Sequence, residues 1–164
     1  MLDEKNINIY LQQFKNLNMP MILLSKPFNS NIFYIILILC KLLNILSNYD
    51  LTYILFSGVL ITILKLIVGR TRPYKTTNNI KNLSSKTHNN LFSIYSFPSG
   101  HTFIATIVCG VLFTKFSKKI YFLKIVPLLV ALSRIYLGVH YTSDVFCGLF
   151  LGYLFNNYIY TKHV

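Results

Sequence analysis

The chain reads as an all-α, polytopic membrane bundle of about five transmembrane helices, preceded by an N-terminal interfacial amphipathic helix. Three observations predict this. The 164 residues are 54% hydrophobic and only 12% charged, too apolar a balance for an ordinary soluble domain. Several nearly uncharged runs approach the roughly 20 residues that cross a bilayer as a helix. The basic residues and histidines that interrupt these runs gather at their ends, in Lys65–Pro73, Pro98–His101 and Ser133–Asp144.

In residues 4–18, Ile7, Leu11 and Phe14 recur at helical spacing, with Lys5, Gln12, Gln13 and Lys15 between them and Pro20 shortly after. That pattern predicts an amphipathic helix in the membrane interface, and it fits packing against the bundle equally well. Residues 28–47 form the first predicted span, interrupted near one end by Lys41 and Asn44, which can snorkel or face the bundle. Residues 51–69 form the second, closing on Gly69. A polar stretch over 74–90, with Asn78, Asn79, Ser84, Ser85 and Asn89, reads as a loop, and the apolar, aromatic run Leu91–Phe97 as a lid or a lipid-contacting edge. Residues 100–116, 120–138 and 142–160 complete the spans, with Pro127 a predicted kink in the fourth. No repeat and no second domain is visible, so residues 1–164 are expected to form one domain.

Cys40, Cys109 and Cys147 each lie inside an apolar run, an odd number without a familiar spacing, which argues against a disulfide framework or zinc site and favours buried free thiols. Asp3 and Glu4 at the start, with the first long apolar run well inside the chain, argue against a cleavable signal peptide. Gly148 and Gly152 fit the small-xxx-small spacing of close helix contacts, with Gly58 and Gly110 as further candidates, but that spacing fixes no oligomeric state. The net charge of +12 suits anionic lipid surfaces or phosphates, although biased lysine usage would also produce it.

Five spans with short links carry the three polar segments to one side of the membrane. Lys115, Lys118, Lys119, Lys124 and Lys162 mark the other side, which the positive-inside rule assigns to the cytoplasm, against Lys75, Lys81 and Lys86 on the site side. The polar segments are therefore expected to face outward from the cytoplasm. Ionisable residues at such depth are functional candidates by default. Lys65 and Arg72 stand two helical turns apart and can converge on one anion before Pro73 stops the helix. Ser99 is either a plain N-cap or, with Gly100, part of an anion site at a helix start. His101 lies in the first turn of that helix, where a histidine is usually structural but can protonate a leaving oxygen beside a phosphate. Arg134 can complete a clamp through paired N–H donors. His140 and Asp144 are one turn apart, suited to a carboxylate orienting an imidazole nucleophile, or to simple helix capping.

Lys65-x6-Arg72-Pro73, Pro98-Ser99-Gly100-His101 and Ser133-Arg134-x5-His140-x3-Asp144 together resemble the three-part signature of the type 2 phosphatidic acid phosphatase superfamily. The resemblance covers roughly residues 51–160; the superfamily also includes undecaprenyl pyrophosphate phosphatases, glucose-6-phosphatases and vanadium haloperoxidases. It implies that His140 attacks phosphorus, that Asp144 orients it and that His101 protonates the departing oxygen. Lys65, Arg72, Arg134, Ser99 and the Gly100 backbone would hold the phosphoryl oxygens. It implies no metal or other cofactor. The implied partners are a lipid phosphate substrate and membrane lipids, with no nucleic acid. Undecaprenyl pyrophosphate, phosphatidylglycerol phosphate and phosphatidic acid all fit as substrates. Apolar spans argue against a haloperoxidase, and the set His140, Asp144 and His101 argues against a non-catalytic lipid-phosphate binding or transport protein, which would not require it.

Overall fold

A computed structural model describes residues 3–84 and 93–160. Its α-helices, in chain order, are α1 (Glu4–Leu11), α2 (Asn18–Ser25), α3 (Ser30–Leu42), α4 (Asn48–Val68), α5 (Pro73–Thr76), α6 (Gly100–Phe116), α7 (Val126–Tyr136) and α8 (Thr142–Phe155). Among the described residues the only bridge between extended segments is the isolated pair Thr71 and Tyr95. The fold is all-α.

Of the predicted spans, α4 alone has both the length and the apolarity to cross a bilayer as one straight helix. Its start is set by a capping box: the Ser47 hydroxyl accepts from Asp50 N, and the Asp50 carboxylate accepts from Ser47 N. Its end is Gly69 at φ +63°, a left-handed cap that a side chain would strain. The other apolar runs are broken or shortened. Over 28–47 the helix ends at Leu42 because Asn44 adopts φ +55°, and Lys41 folds back toward the Leu46 carbonyl instead of snorkelling. The run 15–42 is a pair of helical segments bent by 54°. Pro127 does not kink a long helix, because Ser117–Lys124 is a pair of short 3-10 segments broken at Ile120 and the proline opens α7, where its missing N–H is harmless. α8 continues as a π-helical turn over Asn156–Tyr160.

α6 is the central helix, packed against α4, α7 and α8. Leu37, Tyr53, Ile54, Ile61, Phe103 and Ile107 form the main apolar core among α3, α4 and α6. The outward faces are also apolar. Ile38, Leu42, Phe56, Ile67, Phe146 and Phe150 are all more than half exposed, an exterior that water would not tolerate and acyl chains would. Cys109 is buried and the described cysteines are all free thiols.

α1 is shorter than the sequence suggested, and it packs on the bundle. Ile7 and Leu11 rest against Ala131, Ile135 and Val145, while Tyr10 and Phe14 face outward. The described part of the expected 91–97 lid, residues 93–97, is tied down through Tyr95 and the buried Ser96; Leu91, Phe92, Ser85, Lys86 and Asn89 lie outside the described residues, as does Lys162.

The glycines of α8 serve contacts within the chain. A Cβ on Gly148 would sit 2.7 Å from the Ser99 carbonyl, and one on Gly152 would sit 2.6 Å from Thr106 Cβ, so α6 and α8 meet at backbone distance. Gly58 has open space, with Ile104 Cδ1 at 3.9 Å. Gly148→Ala should therefore destabilise the protein by roughly 1–3 kcal/mol, while Gly58→Ala should be neutral or mildly stabilising. Thermal unfolding of both variants in detergent checks this; equal behaviour would contradict the close α6–α8 contact.

Candidate active site

The end of α4, the start of α6, the end of α7 and the start of α8 meet at one end of the bundle. Lys65, Arg72, Ser99, Arg134, His140 and Asp144 are all buried there. Each is carried by a different local feature. Lys65 lies one turn before the Gly69 cap, and its Nζ donates to the carbonyls of Tyr95 and Ser96, both at 3.3 Å. Its stem passes the N-terminus of α6, where a Cβ on Gly100 would touch Lys65 Cε at 3.4 Å.

Arg72 precedes Pro73 in extended backbone, which turns its guanidinium inward. It donates to Ser93 O through Nε and Nη2 (2.9 and 2.6 Å) and to Val139 O through Nη1 (2.8 Å). The same Nη1 lies 3.3 Å from His140 Nε2. Arg134, in the last turn of α7, donates to Ser25 Oγ at 2.6 Å, and its buried Nε has no partner. Among the described residues none of these three cations forms an ion pair with a carboxylate.

His140 sits in the turn between α7 and α8. Its other nitrogen, Nδ1, is 3.4 Å from Asp144 Oδ2, longer and less well aligned than a formed hydrogen bond. Burial, then the nearby Arg72, Lys65 and Arg134 charges, holds the imidazole pKa well below its ordinary value. Asp144 occupies the third position of α8, where Oδ2 accepts from Tyr141 N at 2.9 Å and closes the helix start. Ser99 precedes α6: its N–H donates to the Asp144 carbonyl at 2.9 Å and its hydroxyl pairs with that of Thr102. His101 is half-buried in the first turn of α6, its Nε2 3.1 Å from Asn29 Oδ1.

Several supporting residues escaped the sequence reading. Arg70 is one: alone, a basic residue beside a membrane helix resembles an interfacial anchor, yet its Nη1 donates to Asp144 Oδ1 at 2.7 Å. Asn8 is fully buried and donates to the carbonyls of Ile135 (2.7 Å) and His140 (3.0 Å). Glu4, Ser25 and Asn29 also reach the site, although nothing local in the sequence distinguishes them from surface polar residues.

Residues 47–164 match the PAP2 superfamily. The chain belongs to this phosphatase family. Over 73 aligned residues the chain is 38% identical to phosphatidylglycerophosphatase B of Bacillus subtilis, a match spanning 38% of this chain and only 36% of that relative. Over 161 residues it is 28% identical to an undecaprenyl-diphosphatase of Sulfolobus acidocaldarius, spanning 91% of this chain and 76% of the relative. Its fold is similar to the crystal structure of a transmembrane PAP2-type phosphatidylglycerolphosphate phosphatase from Bacillus subtilis (TM-score 0.79, 22% identity, 98% of this chain and 84% of that one). It is also similar to that of Aquifex aeolicus LpxE (TM-score 0.64, 20% identity, 93% and 91%).

The lowered pKa of His140 makes a direct prediction. A depressed value keeps the imidazole neutral as pH falls through the ordinary histidine range near 6.5, and it charges only in stronger acid. Nitrogen-15 histidine NMR in detergent should find His140 neutral at pH 6; a midpoint at or above 6.5 in the free protein would contradict the buried, cation-ringed environment.

Proposed function

We propose that the chain hydrolyses the phosphomonoester or pyrophosphate of a membrane lipid through a phosphohistidine on His140. The observation that carries this reading is the gathering of Lys65, Arg72 and Arg134 around one histidine with no ion-paired carboxylate among the described residues. Buried cations are expensive unless an anion balances them, and phosphate fits a planar guanidinium pair and an ammonium.

In this reading the lipid tail stays among the exposed apolar helix faces while the phosphoryl group enters at their mouth. Asp144 accepts the Nδ1 proton side of His140, leaving the Nε2 lone pair to attack phosphorus. The bond from phosphorus to its leaving oxygen breaks, the ester oxygen of a phosphomonoester or the bridging oxygen of a pyrophosphate, and His101 protonates that oxygen. Lys65, Arg72, Arg134, the Ser99 hydroxyl and the Gly100 backbone hold the phosphoryl oxygens as their charge redistributes. Water then attacks phosphorus, His101 takes its proton, and the P–N bond breaks to free phosphate and His140.

Phosphatidylglycerol phosphate and undecaprenyl pyrophosphate are the leading substrates, supported by the names of the relatives to which the chain is similar. The site is proposed to open on the extracytoplasmic side. Support comes from the basic stretch at the opposite end: Lys115 there neutralises Asp50 at 2.6 Å, and Lys124 lies over the Phe113 ring at 4.4 Å, both consistent with an interfacial position.

Phosphate release by the purified protein in detergent, with chelator present, tests the reading. The substrate panel is undecaprenyl pyrophosphate, phosphatidylglycerol phosphate and phosphatidic acid. Wild type should turn over at least one of them, and His140→Ala should reduce kcat by roughly a thousandfold or more, as loss of a nucleophile does. A His140→Ala variant that retains wild-type turnover would overturn the histidine mechanism. A folded wild type inactive on every lipid phosphate would instead favour a phosphate-binding protein.

A further inference from the structure

The N-terminal helix α1 precedes the residues that match the family, yet its first residue ends inside the polar network of the site. Glu4 Oε2 accepts from Arg70 Nη2 at 2.7 Å, and Oε1 accepts from Ser143 N at 2.7 Å and Thr142 Oγ1 at 2.9 Å. Arg70 extends the contact. Its Nη1 donates to Asp144 Oδ1 at 2.7 Å and Ser143 Oγ at 2.6 Å, and its guanidinium lies 4.0 Å over the Tyr141 ring. Asp144, wholly buried, therefore has one oxygen fixed by Arg70 and the other directed at Tyr141 N and His140.

We propose that Glu4 and Arg70 are positioning residues of the catalytic centre: Glu4 holds Arg70, and Arg70 holds Asp144 so that Oδ2 faces His140 Nδ1. This rests on the phosphatase reading, since it concerns the carboxylate that orients the nucleophile. The charge sequence matters as much as the geometry. Arg70 alone would draw the Asp144 charge toward itself and weaken its hold on the imidazole. Glu4 on the far side of the guanidinium offsets that pull, leaving the Glu4–Arg70–Asp144 chain with one net negative charge.

Two properties of Glu4 fit this role better than simple anchoring. The group is firmly ionised: burial opposes the charge, but hydrogen bonds from Arg70, Ser143 and Thr142 bring its pKa down to about 2. The Arg70–Glu4 pair is also about 30% exposed on each side, a setting in which an ion pair adds little to stability. Helix α1 has other attachments for docking, through Asn8, Ile7 and Leu11.

The test uses Glu4→Gln, which removes the charge while keeping an oxygen for Ser143 N and Thr142, in the full-length protein in detergent. On the best lipid phosphate of the panel, kcat should fall roughly tenfold, the scale of one member of a coupled polar network. Inhibition by inorganic phosphate should be unchanged, because Lys65, Arg72 and Arg134 are untouched. In an Arg70→Gln background the same Glu4→Gln change should have little further effect on kcat, since Glu4 acts through Arg70. Asn6→Ala, on the exposed side of α1, should behave as wild type. Wild-type kcat in Glu4→Gln would overturn the proposal and leave the phosphatase reading standing. So would an equal loss in both backgrounds, the sign of an anchor acting independently of Arg70. A wild type inactive on every lipid phosphate would overturn both.

Discussion

Three buried cations that form no ion pair with a carboxylate among the described residues are the constraint on which the rest of this structure depends. Lys65, Arg72 and Arg134 are each less than 10% exposed, and their hydrogen bonds go to carbonyls, to a serine hydroxyl and to the His140 ring. Such an arrangement repels itself. It persists because three helix termini fix where the charges sit. Gly69 ends α4 just beyond Lys65, Pro73 turns the chain at Arg72, and α7 ends two residues after Arg134. Asp144 lies near enough to temper the field but is committed elsewhere, to Arg70 and to Tyr141 N. Burial, reinforced by the surplus positive charge, keeps His140 neutral and therefore nucleophilic, so the feature that favours an anion also helps prepare the group proposed to attack it.

The scarcity of acids sharpens this picture. The sequence has four, and each is used. Asp3 caps α1, Glu4 binds Arg70, Asp50 caps α4 and pairs with Lys115, and Asp144 faces His140. None is left to neutralise the clamp. The first 50 residues then supply its outer supports. Asn8 holds the His140 carbonyl, Ser25 meets Arg134, Asn29 meets His101 and Glu4 reaches Asp144 through Arg70. The N-terminal segment is thus joined to the proposed chemistry as well as to the fold.

Much of the candidate site was legible in the sequence because a polar residue inside an apolar run is conspicuous. A lysine inside an apolar run, or a histidine and an aspartate one turn apart at its end, has few structural explanations. The supports were illegible for the opposite reason. Glu4, Asn8, Ser25 and Asn29 stand among other polar residues, and their partners lie 66 or more positions away. The fold divided in the same way. Apolar runs announced helices, but they did not reveal that Asn44 would turn left-handed, that Pro127 would begin a helix, or that 117–124 would break at Ile120 into short 3-10 segments. Those outcomes depend on backbone choices that hydropathy does not encode. The Gly148 and Gly152 spacing signalled a close contact, and only packing identified α6 as its partner.

The central claim is that the three cations form an anion site built for phosphate. Its most direct test is thermal unfolding of the protein in detergent with inorganic phosphate, against chloride at equal ionic strength. A ligand that binds the folded state raises stability by about 2.7 kcal/mol at a hundred times its dissociation constant. Phosphate should raise the unfolding midpoint in wild type and much less in Arg134→Met. Equal midpoints in phosphate and chloride, with wild type folded, would contradict the account.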